Sequence, residues 1–145
     1  MSDQSLIPHF EVGAVHRTNA HVSANDVERF IDVSGDRARL HTDGAFAVRA
    51  GFKGPVVHGA YLVALVSRLV GMEFPGDCGL LERIDLAFRK PCYTPCDLVL
   101  SAKVRQVSEA VASLILDIEI ADGDGQVLAS GKTWHRILGQ THDRH

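Results

Sequence analysis

Gly59-Ala60-Tyr61-Leu62-Val63-Ala64-Leu65-Val66-Ser67-Arg68-Leu69-Val70-Gly71-Met72 is the most informative run of the chain. Its apolar residues point in nearly every helical direction and leave no broad polar face. The segment therefore reads as a helix buried nearly all round. Such a helix needs something able to surround it. The chain beyond about residue 80 supplies this, because its hydrophobic pattern changes to period two. Strands are expected at Leu80–Phe88, Leu98–Val107, Ala112–Ile120 and Val127–Ile137. In the third of these Leu114, Leu116, Ile118 and Ile120 alternate, with Ile115 the one large apolar residue on the other face. Asp122-Gly123-Asp124-Gly125 marks a hairpin turn, since glycine tolerates positive φ.

Upstream of the helix, the pattern is helical and loop-rich. An additional strand is expected near Val12–Val22. Ser23 with Asp26 three residues later has the form of an N-cap with an acid in the first turn. Val27, Phe30 and Ile31 then give one apolar helix face, which Ser34-Gly35 ends. A second short helix is expected over Ala45–Ala50, stopped by Gly51. A long, curved, mostly antiparallel sheet wrapped around one helix satisfies both halves of the pattern. That is the hotdog arrangement, an α+β fold. The expected organisation is one domain over residues 1–138 and a polar tail over 139–145 that carries His142 and His145.

Bulk properties narrow the function. The 145 residues suffice for one domain with a real core. A net charge of −3, with basic residues scattered among acids, argues against nucleic acid as a partner. Met1 to Phe10 is polar and lacks the form of a secretory signal. The longest apolar stretch, Tyr61 to Val66, is far shorter than the roughly 20 residues that span a bilayer. A cytoplasmic chain without membrane association is expected. Cys78, Cys92 and Cys96 form no CxxC pair, and no further ligands at zinc spacing accompany Cys92 and Cys96. They read as reduced thiols packed as small apolar residues, and no metal site is expected.

Two segments carry residues suited to chemistry. Ser34 to Asp43 places Asp36 and His41 five apart in a loop between helices. Gly54-Pro55-Val56-Val57-His58-Gly59-Ala60 leads directly into the long helix. Adding water across a double bond conjugated to a thioester needs a base, an acid, and donors for the charge growing on the carbonyl oxygen. Asp and His can divide the proton transfers around one held water. A backbone N–H in the first turn of a helix is a preorganised donor, reinforced by the helix dipole. Gly59 suits that role because its missing side chain lets a carbonyl approach closely. Taken alone, an Asp and a His so spaced are more often a cap and a surface histidine, and His-Gly is an ordinary helix entry.

The combined pattern is more specific. Asp36-(x4)-His41-x-Asp43, Ala45-Phe46-Ala47, Phe52 and Pro55-Val56-Val57-His58-Gly59 resemble the MaoC-like hydratases, in particular the (R)-specific enoyl-CoA hydratases. The resemblance extends through Leu65-Val66-Ser67 and Leu86-Ala87-Phe88-Arg89-Lys90-Pro91, over roughly residues 10 to 137. It implies that Asp36 and His41 bind and activate the water and that Gly59 is the oxyanion-hole glycine. It implies a supporting, substrate-side role for Ser67 on the long helix, and His58 reads as a tie at the helix entry. It further implies a homodimer with helices back to back. The implied reaction interconverts a trans-2-enoyl thioester of CoA or of carrier-bound pantetheine with its (R)-3-hydroxyacyl product, without metal or redox cofactor.

Two positions depart from the family pattern. Ala38-Arg39 stands where the family has Asn-Pro, which removes a polar group and the fixed φ of proline. A misplacement of about 1 Å in a catalytic group costs on the order of a hundredfold in rate. Arg39 has three readings: a partner of Asp36, a partner of an acidic substrate group, or a solvated side chain. Cys96-Asp97 replaces a Gly-Asp turn. Hotdog thioesterases and carrier-protein dehydratases commonly place a carboxylate on the central helix, and Gly59 to Met72 has none. A non-catalytic acyl-thioester-binding subunit is the alternative that the Ala38-Arg39 departure leaves open. His9, His16, His21 and His135 read as surface or packing residues. Trp134 reads as packing, or as a surface for an acyl or pantetheine group.

Overall fold

The computed structural model describes residues 9–139. The polar start of the chain and the tail histidines His142 and His145 lie outside them. The elements run β1 (Val15–Val22), α1 (Ala24–Ser34), α2 (Arg39–Thr42), α3 (Gly44–Arg49), α4 (Gly59–Arg68), then β2 (Gly79–Phe88), β3 (Cys96–Ser108), β4 (Ser113–Asp122) and β5 (Val127–Ile137). The five strands form one antiparallel sheet in the order β1-β3-β4-β5-β2. Register shifts at Leu81/Arg83, Val104/Gln106 and Ile120/Ala121 mark bulges, and bulges bend and twist a sheet. This is the curved sheet against one helix expected from the sequence.

Local chemistry explains the ends of α1 and the β4–β5 turn. The Ser23 hydroxyl accepts from the Asp26 N–H and the Asp26 carboxylate accepts from the Ser23 N–H, a complete capping box. Gly35 ends α1 in the left-handed region at φ 72°, and its N–H donates to Ile31. At the β4–β5 hairpin Asp122 Oδ1 accepts from the N–H groups of Asp124 and Gln126, and Gly125 takes φ 81°.

The core lies between α4 and the concave face of the sheet. Leu98, Leu100, Ala102 and Val104 of β3 and Leu114, Leu116, Ile118 and Ile120 of β4 point inward, all essentially buried. Leu62, Leu65 and Val66 of α4 meet them. The α-helix stops at Arg68 rather than Met72. Leu69–Glu73 forms a wider π-type turn that still keeps Leu69 and Val70 buried. Burial of α4 is one-sided, which corrects the expectation of a helix enclosed all round. A single curved sheet covers one face, and Ala60, Ala64, Ser67 and Gly71 remain exposed on the other. Trp134 lies on the outer face of the sheet beneath the Arg83 guanidinium, 4.4 Å from its ring centre. Among the described residues no helix is long and apolar enough to cross a membrane.

Candidate active site

The loop from Gly35 to Thr42 and the entry to α4 meet across a small set of hydrogen bonds. Val56 N–H donates to the Leu40 carbonyl at 3.0 Å, and Val57 N–H donates to the Cys92 carbonyl at 2.8 Å. His58 is buried, and its Nε2 donates to the Asp36 carbonyl at 3.0 Å. That bond fixes the His58 tautomer and leaves Nδ1 as a buried acceptor without a partner among the described residues. The ring of Phe30 from α1 packs edge-on against His58, with centroids 5.0 Å apart.

His41 stacks on His58 with ring centroids 3.8 Å apart. Its Nδ1 donates to the Val56 carbonyl at 2.6 Å. With Nδ1 carrying the proton, Nε2 of His41 presents a lone pair, the form a general base requires. No residue type marks Val56 for this role, because a backbone carbonyl has no residue signature. Asp36 is exposed. Its Oδ1 accepts from the Ala38 N–H at 3.1 Å, and its own N–H donates to Ser34 Oγ. One carboxylate oxygen of Asp36 and one ring nitrogen each of His41 and His58 all lie within 4.8 Å of one another. Two imidazoles and a carboxylate at that spacing can surround one water molecule or hold one divalent cation.

The Ala38-Arg39 departure has a local structural answer. Arg39 is the first residue of α2, a position where proline fits because the N–H has no helical acceptor. Ala38 takes φ −52° and ψ 137°, the extended conformation that a following proline would impose. Thr42 Oγ1 and the His41 N–H both donate to the Ala38 carbonyl, holding the turn without proline. Arg39 does not pair with Asp36. It donates to Asp43 Oδ2 at 3.1 Å, and its guanidinium lies 4.5 Å from the Phe46 ring centre. Asp43 caps α3 by accepting from the Phe46 N–H. That bond, with help from Arg39, holds its carboxyl below the usual carboxylate range.

His41 lines two clefts. One, of about 310 Å³, runs between α1 and the loop, past Val27, Ile31, Pro55 and Thr94. The other, of about 350 Å³, is mostly apolar and brings His41 together with Gly59, walled by Leu40, Phe52, Leu62 and Phe88. Gly59 begins α4, and its N–H has no backbone acceptor among the described residues. A Cβ on Gly59 would sit 2.7 Å from the Phe88 ring, so the close approach at this glycine is made by Phe88 as well as by any ligand. Asp36, His41 and His58 are thus brought together, and His41 shares the second cleft with Gly59, while Asp36 itself lines neither cleft. Ser67 is not among them; it is exposed on α4 and lines neither cleft.

Residues 10–115 match the MaoC like domain. The chain is 31% identical over 132 residues to an (R)-specific enoyl-CoA hydratase of Aeromonas caviae, spanning 91% of this chain and 96% of that one. Over 81 residues it is 33% identical to a 3-hydroxybutyryl-CoA dehydratase of Methylorubrum extorquens, spanning 56% and 52% of the two chains. The solved (R)-hydratase from A. caviae involved in PHA biosynthesis superposes with a TM-score of 0.82 at 28% identity, over 88% of this chain and 97% of that one. A family match over most of the chain, a full-length relative above 30% identity and a shared hotdog architecture agree: this chain belongs to the MaoC-like family.

Proposed function

We propose that the protein is a hydratase/dehydratase that interconverts trans-2-enoyl thioesters and (R)-3-hydroxyacyl thioesters. The observation that carries the reading is one cleft lined by both His41, with Nδ1 committed to Val56, and Gly59, whose N–H has no backbone acceptor among the described residues. In the hydration direction a water held between Asp36 and His41 gives one proton to that pair as its oxygen bonds the β-carbon. The pair passes one proton on to the α-carbon, so one water is added in total and both groups end as they began. The Gly59 N–H, at the positive end of α4, holds the thioester oxygen as charge gathers on it. The reverse steps expel water. The names of the relatives support thioesters of CoA or of a carrier protein as the substrate class.

His58 acts in this scheme as a tie beneath His41. Ser67 lies on the exposed face of α4, where a second copy would pack in a paired-helix dimer. Small residues Ala60, Ala64, Ser67 and Gly71 along that face allow close helix approach, and β2 is an edge strand with Leu80 and Phe88 exposed. Both features support a homodimer with paired helices, and sedimentation at the mass of two chains is its check. The test of the activity is the enoyl absorbance of crotonyl-CoA and longer enoyl-CoAs with purified protein. Decay to an (R)-3-hydroxyacyl product is expected. No turnover with any chain length or carrier would favour the acyl-binding subunit instead.

A further inference from the structure

No step of the hydration uses Cys92 or Cys96, although Cys92 also borders the cleft that holds His41 and Gly59. Their Sγ atoms lie 3.1 Å apart. Separate anchors hold them there. Cys92 accepts the Val57 N–H at its carbonyl, and Cys96 pairs with Val22 in the β1–β3 ladder. Both line one cleft of about 320 Å³, together with Lys53, Lys90, Tyr93 and Asp122. Cys92 is buried and Cys96 half-buried. The hydrogen bond shared with Cys92 holds the Cys96 thiol below its ordinary range, and the nearby His21 adds to this. The same hydrogen bond, with burial, pushes Cys92 up. A more accessible, more acidic thiol beside a buried partner is the arrangement of an attacking and a resolving cysteine.

We propose that Cys92 and Cys96 form a reversible dithiol–disulfide couple oxidised by hydroperoxides. The Cys96 thiolate attacks one peroxide oxygen, the O–O bond breaks, and the sulfur becomes a sulfenic acid as hydroxide leaves and takes up a proton. Cys92 then attacks that sulfur, the S–S bond forms, and the sulfenic oxygen departs as water with the Cys92 proton. Two thiols lose two electrons, and one hydrogen peroxide becomes two waters. A small dithiol reverses the bridge by exchange. Closing from 3.1 Å to a bond of about 2.05 Å needs roughly 1 Å of movement, within the Pro91–Pro95 loop. Cys78 serves as an internal control, because its Sγ donates to the Pro75 carbonyl and burial raises its pKa.

The test is intact-mass and peptide analysis of full-length protein. The protein is first reduced, then titrated with hydrogen peroxide near neutral pH and blocked with N-ethylmaleimide. The expected product has lost about 2 Da before alkylation. It takes one maleimide instead of three, carries the link between Cys92 and Cys96, and regains all three thiols with dithiothreitol. Cys92→Ser should instead accumulate a dimedone-reactive sulfenic acid on Cys96. Wild-type protein whose Cys96 passes to sulfinic acid without a bridge would overturn the proposal. So would a bridge through Cys78, or three alkylatable thiols at every peroxide dose. The readout is mass alone, so it stands or falls independently of hydratase activity.

Discussion

His41 and His58 stack ring on ring, with planes 24° apart, while each gives its one N–H to a different backbone carbonyl. His41 is thereby oriented from two sides, by Val56 in its plane and by His58 beneath it. The His58–Asp36 bond ties the loop bearing the carboxylate to the start of α4. The stack is the part of the site that makes two distant segments one unit.

Removing that support should loosen the pair without removing either member. His58→Ala leaves the Asp36 carbonyl unpaired and a void beneath the His41 ring, for a stability loss on the order of 2 kcal/mol. We expect kcat to fall at least tenfold, with a smaller change in KM. Steady-state kinetics beside thermal unfolding checks this; unchanged kcat would mean that His58 does not position His41.

At Gly59 the expected effect separates packing from chemistry. The added methyl of Gly59→Ala would meet the far end of the Phe88 ring at 2.7 Å, and Phe88 is 53% exposed and free to swing outward. The Tm should therefore fall by no more than a few degrees, while kcat/KM falls about tenfold as the cleft narrows. Phe88→Leu in the Gly59→Ala background should recover part of kcat/KM if crowding is the cause.

These two predictions rest on parts of the structure that differ in how far the sequence disclosed them. The Ser23/Asp26 capping box, the period-two run of β4 and the Asp122–Gly125 turn are local signals, and each fell where its chemistry required. The family motif brought Asp36, His41 and Gly59 into view together. The one-turn helix α2 was not legible, because four residues are too few to show a period. The open face of α4 was hidden too, since Ala60 and Ala64 read as apolar whether or not anything covers them. The ring of Phe88 over Gly59 and the Cys92–Cys96 approach depend on where β2 and β3 travel, which no local pattern encodes.

His135 predicts how stability depends on pH. It is 3% exposed, Nε2 is bonded to Thr133 Oγ1 at 2.7 Å, and burial lowers its pKa from 6.5 to about 4. Between those values the unfolded chain binds the proton and the folded chain does not. Stability should therefore fall as pH drops from about 6.5, with the loss complete below about 4 and on the order of 3 kcal/mol. Chemical denaturation at pH 7 and pH 4.5, with His135→Phe as the comparison, isolates this contribution. An equal pH slope in both proteins would refute it.

Chelation tests what the Asp36, His41 and His58 cluster holds. If the three groups surround a water, dialysis against EDTA should leave turnover within twofold of the untreated enzyme. Loss of activity restored by zinc or manganese would assign them to a metal instead.

The most direct measurement is hydration of crotonyl-CoA, followed by loss of enoyl absorbance, in the wild type, Asp36→Asn and His41→Gln, with circular dichroism confirming that all three are folded. Turnover by the wild type is expected, with a loss of about 10²- to 10⁴-fold in each variant. Folded variants that turn over at the wild-type rate would contradict it.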